Sequence, residues 1–221
     1  MAENRKGGGF HVVGLTLKEP YLLKIEPALS KTEDLKRLAP VLLRLLQEAL
    51  DLDQYDVATR TAQALGSCGR KAKIPNLIAR GDASLKSVSE QKTGFEKAKK
   101  AEEALADAPE DPNANRIWGE WLCFQKGRWD RGLPYLTKGP ESPLRAMAQK
   151  EFAGSAELSS LMEVADGWWE LAERERVPLR KSQLLAHARS IYTAALPKSN
   201  GDVRAKIGRR LEFDADPAPK K

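Results

Sequence analysis

Apolar residues recur every three or four positions along most of the 221-residue chain, and this spacing places them on one face of an α-helix. Polar and charged residues fill the positions between them, as on the solvent side of an amphipathic helix. The spacing predicts a helical hairpin over residues 32–71, a long helix over 74–107, two further hairpins over 112–139 and 157–197, and a terminal helix over 201–212. We therefore expect an all-α fold.

Capping and breaking residues set the expected ends of the first two elements. Thr32 precedes acidic residues and an apolar run, so we expect it to be the N-cap of the first helix. A short polar turn joins this helix to a second one, which we expect to stop at Gly66 and Gly69. The long helix that follows contains Gly81 and Gly94, each of which costs about 1 kcal/mol relative to Ala.

The two ends of the chain are expected to lack regular structure. Residues 1–30 contain a glycine triplet and two prolines, Pro20 and Pro27, so a flexible N-terminal arm is predicted. Residues 214–221 are predicted to be a disordered tail. The remaining residues, 31–213, are expected to form a single helical domain.

Three of the five tryptophans lie within the stretch DPNANRIWGEWLCFQKGRWDRGLPYLTKG, which ends at Gly139. Asp111 and Pro112 favour the start of a helix, because the fixed backbone angle of proline suits the first helical position. The segment KGRWD supplies a turn, and a second helix is expected to begin near Trp129, with Pro134 tolerated in its first turn. The stretch therefore predicts a hairpin that buries its rings rather than a reactive pocket.

These helix pairs resemble the tetratricopeptide repeat, in which about 34 residues form two helices and a small residue of one packs against aromatic residues of the next. In the first hairpin, the residues that match the repeat are Leu45, Ala49, Tyr55 and Ala58. In the second, they are Gly127, Trp129, Gly132, Leu136 and Gly139. The resemblance implies a TPR-like stack of antiparallel hairpins, an α–α superhelix, with one long central helix.

Two departures from the repeat are visible in the sequence. Gly119 lies one residue too far from Gly127 for the standard first helix. A third copy is split between the segments VADGWWELAE and AHARSIYTAALP, whose separation exceeds the standard interval. The intervening ERERVPLRKSQ is therefore expected either to extend a helix or to form an insertion.

The order of the segments from about Asp53 to Leu211 resembles a helical module that recurs in large multidomain bacterial proteins of the planctomycete type. The resemblance implies an assembly or interaction element without catalytic residues of its own.

Composition and charge narrow the class of protein further. Charged residues make up 31% of the chain and the net charge is +6, but acidic and basic residues are interleaved, which indicates a mildly basic surface rather than a nucleic-acid footprint. No run reaches the roughly 18 apolar residues that a membrane span needs. The first residues also lack the apolar run of a signal peptide, so we expect a cytoplasmic protein and no membrane partner.

Catalysis and metal binding have little support in the sequence. Cys68 and Cys123 lie far apart, and neither has a neighbouring His or Cys that would complete a metal site. Buried free thiols are expected, with a disulfide as the alternative. His11 lies in the arm, and no motif gives His187 a nucleophile or an orienting partner. We expect no catalytic residue, cofactor or metal.

Two functional hypotheses remain. The first is a non-catalytic scaffold that binds a protein or peptide in the groove made by stacked hairpins. The second is a basic accessory protein that binds nucleic acid or another polyanion. The candidate partner-binding residues are Trp118, Trp121, Trp169, Arg209 and Arg210. For the tryptophans we expect core packing ahead of a ligand platform. For the arginines we expect a solvated helix face, with contact to an acidic partner or a phosphate backbone as the alternative.

The adjacent Trp168 and Trp169 carry a separate expectation. Neighbouring residues lie roughly 100° apart around a helix. We therefore do not expect both indoles to point straight into the core.

Overall fold

The computed structural model describes residues 19–154 and 156–212, and all regular structure in these ranges is helical. The helices are α1 (19–28), α2 (Thr32–Asp51), α3 (Tyr55–Ala72), α4 (Pro75–Asp107), α5 (Pro112–Glu120), α6 (Trp129–Leu136), α7 (Pro143–Ala153), α8 (Leu158–Arg174), α9 (Pro178–Ala195) and α10 (Gly201–Glu212). The predicted all-α fold is confirmed. The expectations for residues 1–18, including His11, and for the 214–221 tail lie outside the described residues.

The chain forms two compact units, one ending at Glu96 and the other beginning at Lys97. The division falls inside α4, at a stretch, residues 89–97, that includes no buried side chain. The single domain expected for residues 31–213 stays a prediction.

In the first unit, α2 and α3 form the predicted antiparallel hairpin. Its apolar core contains Leu35, Leu38, Ala39, Leu42, Ala64, Leu65, Cys68 and Ala72. The N-cap of α2 is Lys31, not Thr32, and its side chain makes no capping hydrogen bond. The turn between the helices includes Asp53, whose φ of 57° is in the left-handed region.

Glycines in α3 serve close packing rather than termination, so the stop expected at Gly66 and Gly69 is wrong. The helix continues to Ala72 and ends in a left-handed Lys73. A Cβ at Gly69 would lie 2.6 Å from the backbone nitrogen of Ile78, and a Cβ at Gly81 would lie 2.5 Å from the Cα of Gly66. The missing side chains allow α3 and α4 to approach at backbone distance.

Residues 19–28 are helical, where the sequence predicted an arm without regular structure. Two buried carboxylates tie this helix to α3: Glu19 accepts a 2.6 Å hydrogen bond from Arg60, and Glu26 accepts one of 2.8 Å from Ser67. Lys71 also lies 3.0 Å from Glu26. These partners are more than forty residues away in the sequence, which explains why local breaking residues were a poor guide here.

In the second unit, α5 and α6 form a hairpin joined by a π-helical turn, Trp121–Gln125. The amide of Lys126 donates to the carbonyl of Trp121, five residues earlier, which is the wide hydrogen bond that defines such a turn. The wide turn lies between Gly119 and Gly127 and so adds one residue to this stretch relative to a regular α-helical turn. Gly127 then reverses the chain with a φ of 62°.

Two more helices, α8 and α9, form the next hairpin, with only residues 175–177 between them. The segment ERERVPLRKSQ therefore extends both helices and is not an insertion. A short helix, α7, precedes this hairpin and was not among the predicted elements. It buries only Ala148 fully, so its apolar pattern is weak.

Candidate functional site

All five indoles of the chain belong to the second unit, and none is more than 9% exposed. At the centre, the imidazole of His187 stacks on Trp129 with ring centroids 3.8 Å apart and planes 3° from parallel. Trp168 meets both rings edge-on, at 5.2 Å from Trp129 and 5.5 Å from His187. The three rings come from α6, α8 and α9, so this packing joins three helices at one point.

One carboxylate, that of Glu151, contacts two of these three rings. Glu151 Oε2 accepts a hydrogen bond of 2.6 Å from Trp168 Nε1 and lies 2.8 Å from Nε2 of His187. An ionised carboxylate has no hydrogen to donate, so the imidazole must carry its proton on Nε2. Glu151 lies on α7, and the two bonds are therefore a main attachment of this weakly apolar helix.

A second cluster of side chains attaches α10 to α8. The guanidinium of Arg210 lies 4.1 Å from the ring centroid of Trp169 and 3.6 Å from Glu173, which also accepts from Trp169 Nε1 at 2.8 Å. Nearby, Asp166 accepts from both Tyr192 Oη, at 2.6 Å, and Lys206 Nζ, at 2.7 Å. Burial and the Asp166 carboxylate raise the pKa of Tyr192, so its hydroxyl stays protonated and continues to donate.

Arg180 connects α9 to the hairpin of α5 and α6. Its guanidinium lies 3.1 Å from Glu120 and 4.5 Å from the ring centroid of Phe124. Glu175 lies 3.1 Å from the same group and accepts two backbone hydrogen bonds, from Arg176 and Val177. These backbone bonds, together with the nearby guanidinium, hold the pKa of Glu175 below its usual value.

A cavity of about 340 Å³ lies in the second unit where the end of α4 meets α5 and α6. Asn115 is the one fully buried residue that lines it. The amide nitrogen of Asn115 donates to the carbonyls of Pro109 and Asp111, at 2.9 and 2.8 Å, and so holds the link between α4 and α5. Its Oδ1 atom is buried and has no hydrogen-bond partner among the described residues.

The structure separates the five candidate partner-binding residues. Trp118, Trp121 and Trp169 are 7%, 6% and 2% exposed, so their rings are committed to packing within the second unit. Arg209 is exposed on α10. Arg210 is half-buried against Trp169, so the two arginines do not form one surface.

Trp168 and Trp169 are both buried, but they face different neighbours. Trp168 bonds to Glu151 of α7, while Trp169 lies against Arg210 of α10. Helix α8 is therefore covered on two sides, and the two indoles do not share one direction.

The sulfur groups are unsuited to nucleophilic chemistry. Cys68 and Cys123 are both buried free thiols, as expected. Burial raises the pKa of Cys68 to about 11 and raises that of Cys123 as well, so both remain protonated at neutral pH. Within the described ranges, no group of three or more His, Cys, Asp or Glu side chains is placed to hold a metal ion.

Three residues of these sites were missed by sequence reasoning: His187, Glu151 and Asn115. One signal for His187 was available, because it shares the apolar face of α9 with Leu184 and Ile191. Glu151 lies 36 residues from His187, and nothing local marks it as a partner. Asn115 reads as an ordinary first-turn polar residue.

Comparison with known proteins yields no match to any family model, to any curated protein or to any solved structure. In the part of the chain that the structure describes, no helix is both long enough and apolar enough to cross a membrane. The functional argument therefore depends on the geometry of the chain itself.

Proposed function

We propose that the chain is a non-catalytic helical scaffold that binds a protein or peptide partner in the cytoplasm. We also propose that its hairpins stack in the manner of tetratricopeptide repeats, in line with the resemblance to the bacterial assembly module. The observation that carries the proposal is that the reactive side chains are engaged inside the protein. His187 bonds to Glu151, Glu151 also accepts a hydrogen bond from an indole, and both thiols are buried and protonated.

The alternative, a polyanion-binding protein, receives less support from α10. Of its basic side chains, Lys206 is paired with Asp166 and Arg210 with Glu173. Arg204 and Arg209 remain exposed, but Arg204 also donates to the carbonyl of Leu196. Two scattered cations neutralise few phosphates, and affinity for nucleic acid scales with that number.

Partner capture followed by titration tests the proposal. The chain is used to capture partners from cells of its host, the captured protein is identified, and its dissociation constant is measured at about 50 and about 300 mM salt. A scaffold with apolar contacts should keep its affinity within roughly tenfold, whereas a polyanion binder should lose several orders of magnitude.

An enzymatic role is tested on the same material. Turnover of a co-purifying small molecule, lost in a folded His187→Ala variant, would overturn the proposal. Retained partner binding by this variant would agree with a structural role for the imidazole.

A further inference from the structure

The cavity beside Asn115 combines apolar walls with hydrogen-bond acceptors. Its apolar lining is formed by Leu105, Ala106, Pro109 and Pro134, and the ring of Tyr135 adds an aromatic surface. Its volume of about 340 Å³ is within the range of small ligand sites, which begins near 300 Å³. The cavity can therefore hold a side chain with an apolar stem and one polar end.

The side-chain oxygen of Asn115 can accept a hydrogen bond that no described residue donates. The orientation of the amide is fixed, because its nitrogen already serves two carbonyl oxygens. An unpaired buried acceptor costs about 1–3 kcal/mol and is rare in folded proteins, so a donor that reaches this oxygen would gain a hydrogen bond. The oxygen exposes less than 1 Å² of surface, so a donor must displace neighbouring side chains slightly to reach it.

Charge around the cavity favours a cation. Glu102 lines it with an exposed carboxylate, whereas its only cationic lining residue, Lys138, is held at 2.6 Å by Glu110. The charges of the two lining residues Glu102 and Lys138 cancel, and the pairing of Lys138 with Glu110, which lies outside the lining, leaves one net negative charge on the three groups. The cavity also borders the C-terminal end of α4, where the helix dipole attracts positive charge, while the carboxylate of Asp111 caps the opposing N-terminus of α5.

We propose that this cavity binds an alkylammonium group, the lysine side chain of a peptide partner, with its methylenes against the apolar wall and its ammonium between Asn115 Oδ1 and Glu102. The Asn115 oxygen and the Glu102 carboxylate accept hydrogen bonds, and the Tyr135 ring offers an aromatic face, which suits a donor with three N–H groups. The cationic residue of the lining, Lys138, is held by Glu110. An anionic side chain would meet Glu102 and an acceptor oxygen. The inference rests on the proposed function, because it names the chemistry of the partner.

Titration with a minimal probe tests the site. The probe is Nα-acetyl-lysine N-methylamide, the matched probe carries norleucine in place of lysine, and the free diamine cadaverine separates a peptide source from a free amine. Binding is followed by nuclear magnetic resonance through the side-chain NH₂ signals of Asn115. The lysine probe should shift these signals saturably, the norleucine probe should not, and cadaverine should bind no more tightly than the lysine probe.

Two variant pairs add controls on the same helix. Glu102→Gln should weaken binding about fivefold, since the carboxylate is exposed, while Glu103→Gln, outside the cavity, should leave it unchanged. Ala106→Phe should fill the cavity and abolish binding, while the exposed Ala104→Phe should not. If Ala106→Phe fails to fold, the comparison of Glu102→Gln with Glu103→Gln and the norleucine probe still test whether the cavity binds an ammonium group.

Unmoved Asn115 signals at saturating probe, equal binding of the norleucine probe, or equal effects of both charge variants would overturn the site. Tighter binding of cadaverine than of the lysine probe would overturn the peptide source. Capture of a partner by an Ala106→Phe chain with undiminished affinity would reject this cavity but leave the scaffold proposal standing. Loss of salt-resistant partner binding altogether would reject the scaffold proposal.

Discussion

Replacing Glu151 removes the acceptor that joins α7 to the ring cluster. In Glu151→Ala, the donors on Trp168 Nε1 and His187 Nε2 both lose their partner. A buried donor without a partner costs about 1–3 kcal/mol, so two donors predict a loss of about 2–6 kcal/mol in the free energy of unfolding. The lower half of this range is favoured, because the Glu151 side chain is 22% exposed and water can reach part of the gap.

Glu151→Gln provides a graded comparison. The amide keeps the shape of the side chain and one oxygen acceptor but loses the charge that strengthens both bonds. We expect a loss of about 1 kcal/mol, clearly smaller than for alanine. Glu141→Ala is the matched control, since this carboxylate precedes α7, is 92% exposed and pairs with Arg145. We expect Glu141→Ala to lower the free energy of unfolding by less than about 1 kcal/mol.

Urea unfolding followed by tryptophan fluorescence is the suitable assay. All five tryptophans lie in the second unit, so the signal reports that unit without a contribution from the first. This matters because two units can unfold separately, and a single transition would then be ill defined. An unfolding free energy of Glu151→Ala within about 0.5 kcal/mol of the parent would refute the structural role of this carboxylate.

Three further perturbations test other contacts. Gly132→Ala should destabilise the second unit by about 1–3 kcal/mol in urea unfolding, because the new Cβ would lie 2.4 Å from Cys123 Sγ, whereas Gly208→Ala, with open space around it, should be neutral or stabilising. Arg210→Ala should cost about 1–2 kcal/mol through its contact with Trp169, and equal losses in exposed Arg209→Ala would argue against that contact. The pKa of the Cys68 thiol is about 11 in the folded chain, above the ordinary value of 9.0. The stabilisation that this thiol gives to the folded state is therefore complete below pH 9. Between pH 9 and pH 11 the free energy of unfolding falls by about 1.4 kcal/mol per pH unit. Calorimetry of Cys68→Ala should show a shallower alkaline decline than the parent, and identical pH slopes would contradict the burial of this thiol.

Much of the fold follows from local pattern. The ends of α4 and α10 were predicted within about one residue, because breaking residues such as Pro109 and Pro112 after Asp107 are local signals. The glycines of α3 were misjudged, because the same residue that ends a helix also permits close packing of two helices. Distinguishing these uses requires knowing that Gly69 faces Ile78, a contact made across a turn.

The sites were less accessible to sequence reasoning. The cluster of Trp129, Trp168 and His187 depends on three helices meeting. The π-helical turn adds a residue that shifts the register of the hairpin formed by α5 and α6. The burial of Trp169 depends on α10 folding back over α8. These contacts join residues that are far apart in the sequence, so local patterns could not predict them. The general expectation that the rings pack in the core needed only composition and periodicity.

The central claim is that the indoles join the helices of the second unit to each other and are not presented to a partner. Acrylamide quenching of tryptophan fluorescence measures this directly, because the quencher must reach the ring by collision. With every indole at or below 9% exposure, the native chain should show blue-shifted emission and quenching several times weaker than the urea-unfolded chain. Native quenching equal to that of the unfolded chain would contradict the account.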